Sequence, residues 1–130
     1  IEEDVMAVTI SEVIGLVKQL YPCGISDNMQ KDWLRQLDEQ IQDEVIETHE
    51  LPEHYEPPDF DAYDMETELI VPEIHAELYV AYLRMKMAMI HADKDEYEIN
   101  STKFNNSYIT YQQYYNRKHR PLRKGFPRYR

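Results

Sequence analysis

Glycine is scarce, with three residues in a chain of 130. That scarcity works against β-sandwiches and barrels, and the Glu, Gln, Leu, Met and Ala in its place favour helices. Cysteine is nearly absent too. The single Cys23 excludes an internal disulfide framework, so nothing reads as a stapled, secreted scaffold. No apolar run approaches the ~18 residues of a membrane span, and the beginning lacks the basic-then-apolar order of a signal peptide. The chain is therefore expected to be soluble, off the membrane and made in a reducing cytoplasm. Met6 is a candidate natural start, with the residues before it an extension.

Catalytic motifs are missing as well: there is no glycine-rich phosphate loop, nucleophile elbow or zinc-protease helix motif. Cys23 stands alone in a Pro-Cys-Gly turn, without the electropositive neighbourhood a reactive thiol needs. His49 and His54, near Glu50, Glu53 and Glu56, miss the i, i+4 spacing of metal ligands on one helix face, and Pro52 prevents a continuous helix. Asp59, Asp61 and Asp64 hint at a calcium loop but lack its glycine and closing glutamate. His75, between Glu73 and Glu77, reads as a surface group. No metal, cofactor or enzymatic activity is expected.

One further absence divides the chain. From Arg117 onward there are seven Lys or Arg residues and no carboxylate, which leaves 7 basic and 25 acidic groups before it, a formal −18 against +7. Such asymmetry concerns partners and solubility more than fold.

What is present reads as helix. Thr9 followed by Glu12 fits a capping box, and Ile10, Val13, Ile14 and Val17 form a stripe ending near Leu20. A second amphipathic helix opens at Ser26 or Asp27 and ends near Thr48. Its apolar row is Met29, Trp33, Leu37, Ile41 and Val45, widened by Leu34 and Ile46. Its solvated face takes Lys31, Asp32, Arg35, Asp38, Glu39 and Asp43. Residues 49–68 form a long acidic loop broken by prolines. Pro72 suits the first turn of a third helix. There Ile74, Leu78, Ala81, Tyr82, Met85 and Met89 make one stripe, and Val80, Leu83, Met87 and Ile90 another. A helix apolar nearly all round is buried in its own domain, between subunits, or both. After a break near Asp93, a fourth helix carries Tyr97, Ser101, Phe104, Tyr108, Tyr111 and Tyr115 as a seam, with a bend plausible in "INSTKFNNS". Tyr114 points away from that seam.

The expected fold is thus all-α, a small bundle of about four helices with a long acidic loop and an extended basic arm. Residues 1–116 form the domain, with 1–8 flexible, and residues 117–130 form the arm. The arm has three readings. It could be a solvated terminus, a nucleic-acid hook in which Phe126 and Tyr129 stack on bases, or a docking peptide anchored by Leu122, Phe126 and Tyr129. The −18 body would repel the phosphates that the arm attracts, which favours docking on an acidic protein surface, a neighbouring subunit included.

Residues 69–121 carry a recognisable pattern. It comprises Val71 to Glu73, Glu77 to Tyr79, Tyr82 to Met87, then Phe104 to Tyr108 ("FNNSY"), and Tyr114 to Pro121 ("YYNRKHRP"). In these segments the chain resembles the small head–tail connector (adaptor) proteins of tailed bacteriophages. The resemblance implies a structural virion protein of the phage neck that assembles in the host bacterial cytoplasm and has no enzymatic activity. It implies a homo-oligomeric ring, expected to be a dodecamer, between the portal protein and the next neck or tail-completion protein, with DNA passing through but not specifically bound. On that basis Arg117, Arg120, Arg123, Lys124, Phe126 and Tyr129 are candidates for partner docking. Tyr79, Leu83, Met87 and Tyr114 are candidates for intersubunit contacts. The alternative, from a different class, is a nucleic-acid-binding accessory protein using the same arm.

Overall fold

A computed structural model describes residues 6–22 and 24–122. Among these residues the protein is an all-α bundle of four helices, α1 (Ile10–Leu20), α2 (Asp27–Glu44), α3 (Glu77–Ile90) and α4 (Lys94–Lys118). Two isolated antiparallel bridges, Thr9 with Glu68 and His49 with Pro121, are the only strand-like pairings among the described residues.

The expected capping box starts α1. The Thr9 hydroxyl accepts from the Glu12 amide (3.2 Å), and the Glu12 carboxylate accepts from the Thr9 amide (3.0 Å). The next amides would otherwise lack partners, and the long loop supplies them: Ile10 donates to the Thr67 carbonyl and Ser11 to that of Met65. Ile10, Val13, Ile14 and Val17 all reach the core.

Ser26 caps α2 through the Met29 amide (3.2 Å), and the α-helix gives way to a 3₁₀ turn at Ile46–Thr48. Its buried face keeps most of the expected row, Leu37, Ile41 and Val45 with Leu34 and Ile46, but departs from it at Met29 and in its polar members. Gln30, Leu34, Leu37, Asp38, Ile41 and Gln42 turn inward, whereas Met29 is 45% exposed. A strict four-residue repeat advances about 40° beyond a full turn at each step, so it drifts across a helix rather than following one face.

The acidic loop is fastened at several points. Tyr63 and Leu69 enter the core, and Leu69 donates to the Val8 carbonyl (2.8 Å). Val8 is buried, and the Met6 carbonyl accepts from Glu73, so residues 6–8 are held in place where flexibility was expected. Pro72 precedes a separate 3₁₀ turn, Glu73–His75, rather than sitting in the first turn of α3. Ile74 is therefore out of register with the α3 stripes and 69% exposed.

Helices α3 and α4 form an antiparallel hairpin. Arg84 pairs with Glu96 (2.8 Å), the Tyr82 and Phe104 rings meet at 5.2 Å, and His75 lies against Tyr114 at 4.6 Å. The turn between them closes α3 with Ala92 at φ 56°. The Ala92 amide donates to Met89 and the Asp93 amide to Ala88, and Asp93 then caps α4 through the Glu96 amide. No bend interrupts α4, which is one helix through "INSTKFNNS". Asn100 is buried there and donates to the Glu96 carbonyl (2.8 Å) and carboxylate (3.1 Å), so packing outweighs the weak helix propensity of the stretch.

Candidate interaction surfaces

Three places hold polar or exposed groups in arrangements that the fold alone does not require. The first is internal. Asp38, expected on the solvated face of α2, is fully buried at 0% exposure. Its Oδ2 accepts from the Tyr63 hydroxyl (2.6 Å) and the Ile70 amide (3.1 Å), and its Oδ1 accepts from the Tyr79 hydroxyl (2.5 Å). The Tyr79 hydroxyl in turn accepts from the Val71 amide (2.9 Å). Burial pushes the Asp38 carboxyl up to about 6, while its three donors pull it down. Burial and the Asp38 charge raise both tyrosines above their usual range. The knot ties α2 to the loop and to α3. Asp38 and Tyr79 are sealed from solvent and Tyr63 nearly so, and the three act as a fastener.

The second place is the exit of α4. His49 is buried, with Nδ1 donating to the Val45 carbonyl (2.7 Å) and Nε2 meeting Asn116 Oδ1 at 2.6 Å. The Tyr115 ring stands edge-on to His49 at 4.8 Å, and His119 stacks on Tyr115 at 3.8 Å. Beyond the helix, the Glu50 amide donates to the Arg120 carbonyl (2.8 Å) and the Leu122 amide to the Thr48 carbonyl (3.0 Å). The chain leaving α4 is thus laid against the end of α2 as far as Leu122.

The third is a groove of about 610 Å³ along α1, between residues 6–8 and the start of α3. It is lined by the exposed side chains of Met6, Leu16, Leu20 and Tyr21. A separate set of exposed apolar residues, Met89, Ile90 and Ile99, lies near the tip of the α3–α4 hairpin.

The candidates from sequence fall across these places unevenly. Arg117 is in the last turn of α4 and Arg120 just past it, both exposed, with Arg120 Nε 3.9 Å from a Glu50 carboxylate oxygen. Arg123, Lys124, Phe126 and Tyr129 lie outside the described residues, as does Cys23. Of the expected intersubunit contacts, Tyr79 and Leu83 are fully buried and Met87 nearly so, all within this chain's own core. A neighbour could reach them only by opening that core, because the face of α3 that carries them is already covered within the chain. Tyr114 is half-buried against His75.

His75 is not a free surface group. It packs on Tyr111 and Tyr114, its Nε2 is buried without a hydrogen-bond partner, and burial followed by the Arg117 charge holds its pKa below the usual value. His54 is exposed while His49 is enclosed. Asp59 and Asp64 accept from nearby amides, Asp59 from Asp61 and Asp64 from Glu66. Among the described residues, no group of three or more His, Cys, Asp or Glu could hold a metal ion. No helix among them is long and apolar enough to cross a membrane.

Sequence reasoning missed the Asp38 knot and the His49 clasp. The partners lie 25 to 41 residues from Asp38, and 67 residues separate His49 from Asn116, so no local pattern signals either. Comparison with protein-family models, curated proteins and solved structures finds no match to this chain.

Proposed function

We propose that this chain is a structural virion protein, a head–tail connector that forms a ring between the portal and the neck or tail of a tailed phage. One observation carries the reading. Every segment of the connector-like pattern, from Val71 to Pro121, falls on the α3–α4 hairpin, its lead-in or its clasped exit. The pattern thus coincides with one packed unit. Around it, the buried Asp38, His49 and Asn100 are all held in hydrogen bonds that fasten the chain, as an assembly part requires. The ring is a homo-oligomer, expected as a dodecamer. Its neighbours are the portal protein and the next neck or tail-completion protein, with DNA passing through but not specifically bound.

The clasp sets where the chain can be shortened without losing structure. A chain cut at Asn116 would lose the Asn116–His49 environment and the pairing of residues 120–122 with 48–50, and with them part of the fold. A stop after Leu122 removes only Arg123 to Arg130. Mixed with its portal, the full chain should co-sediment as a ring visible by electron microscopy, and the shortened chain should bind at least about tenfold more weakly. A full chain that stays monomeric at high concentration and beside the portal overturns the connector reading. Strong, salt-sensitive DNA binding by the intact chain, with portal assembly unaffected by the stop, would instead favour the nucleic-acid accessory protein.

A further inference from the structure

The groove along α1 has an apolar floor and an acidic margin. Met6 and Leu20 are 65% and 54% exposed, which is more than ordinary for large apolar side chains gathered along one concavity. Glu12, Glu73 and Glu77 also line it, and no Lys or Arg does. Arg84, the nearby cation stacked on Tyr21 at 3.6 Å, is already paired with Glu96. A ligand for this groove would be cationic and carry apolar or aromatic anchors.

Two segments of the chain lie outside the described residues at its ends, and they differ in charge. Residues 1–5 adjoin the groove through Met6, but they contain Glu2, Glu3 and Asp4, which the acidic margin repels. Residues 123–130 read "RKGFPRYR", with four cations, no carboxylate, and Phe126 and Tyr129 as anchors separated by a proline. Pro127 suits an extended peptide lying in a groove. The exit of α4 is clasped to residues 48–50, none of which lines the groove formed by residues 6–21 and 73–80.

We infer that the α1 groove is the receptor for the 123–130 segment of a second copy of this chain. Such a contact joins two different patches, so it is head-to-tail, the kind of contact that makes a ring when the rotation between copies closes. The inference deepens the connector reading and rests on it only for the closed ring. The contact itself can be tested without any portal.

A labelled peptide of residues 119–130 is titrated into the full-length chain carrying Phe126→Ser and Tyr129→Ser, which frees the groove of competing arms. Fluorescence anisotropy should show saturable binding in the micromolar range, weakened at least about tenfold by Leu16→Glu or, as a second groove variant, Glu77→Lys. Both positions are exposed on helices, so neither change opens the core. Sedimentation then decides between copies. The Leu16→Glu chain and the arm variant should each stay monomeric, while their mixture forms one-to-one pairs, since one retains the arm and the other the groove.

No peptide binding below about 1 mM, or binding indifferent to both groove variants, overturns the inference. A mixture that never pairs, although the peptide binds, would place the arm in its own chain's groove and overturn the second-copy assignment. Pairing without portal binding would leave this contact standing while the connector reading failed.

Discussion

At Asp38 a single carboxylate receives three donors, from Tyr63, Ile70 and Tyr79, and so holds the loop and α3 to α2. Asparagine has nearly the same shape but cannot replace it. With its nitrogen at the Oδ2 position it opposes the Ile70 amide. With its nitrogen at Oδ1 it opposes Tyr79, whose hydroxyl already accepts from Val71 and whose own proton loses its acceptor. Asp38→Asn should therefore cost about 1–3 kcal/mol in urea unfolding, the penalty of one buried donor left without a partner. A pH dependence follows from the same site. The carboxyl ionises at about 6 when folded against an ordinary 3.8, so between those values the unfolded chain gives up its proton first. This group's favourable contribution is full below about pH 4 and is lost as pH rises through about 6. At ~1.4 kcal/mol per pH unit its ceiling is about 3 kcal/mol. Urea titrations from pH 4 to 7 should show that slope in the parent chain and not in Asp38→Asn. Equal slopes in the two would assign the effect to the other carboxylates.

Among the elements, the α3–α4 turn is where the sequence departs from the residue its geometry prefers. Ala92 occupies the left-handed position that ends α3, at φ 56°, and its Cβ crowds the backbone there. Glycine removes that strain, and Ala92→Gly should raise stability by about 0.5–1 kcal/mol in the same urea assay despite the added freedom of the unfolded chain. A loss of stability would mean that the Ala92 methyl packs more usefully than its exposed setting indicates. The elements also mark how far the sequence could be read. Thr9, Ser26 and Asp93 announce helix starts because each cap bonds within three residues of itself. The α1 stripe was legible for the same reason of short range. The apolar part of the α2 inner face was legible too, but Gln30, Asp38 and Gln42 were not, since they count as polar in any periodicity, and Asp38 and Gln42 find partners on the distant loop. Gln42, for instance, accepts from Tyr55 across the loop (3.0 Å). Of the surfaces, the charge of the arm was legible from composition, while the groove that complements it required α1, the 6–8 segment and the start of α3 to be brought together.

For the whole molecule, the separation of −18 from +7 along the chain makes salt a diagnostic reagent. Within one copy the carboxylates far outnumber the cations, and among the described residues few exposed ion pairs offset them; Lys18–Asp27 and Arg35–Glu39 are two, and such pairs contribute little. Self-repulsion across the body therefore opposes folding, and screening it should stabilise each copy. Between copies the sign reverses, because a cationic arm on an acidic groove margin is an attraction that the same ions weaken. Raising sodium chloride from about 50 to about 500 mM shortens the Debye length from roughly 14 to roughly 4 Å. Over that range the melting temperature of the Leu16→Glu chain, which lacks the contact, should rise by a few degrees, about 1 kcal/mol in a domain of this size. Peptide binding to the groove should weaken over the same range by about tenfold or more. If salt instead tightens the peptide, the contact is apolar in origin and the arm's charge has no part in it. If salt lowers the melting temperature, the surface carboxylates are better compensated than their number implies.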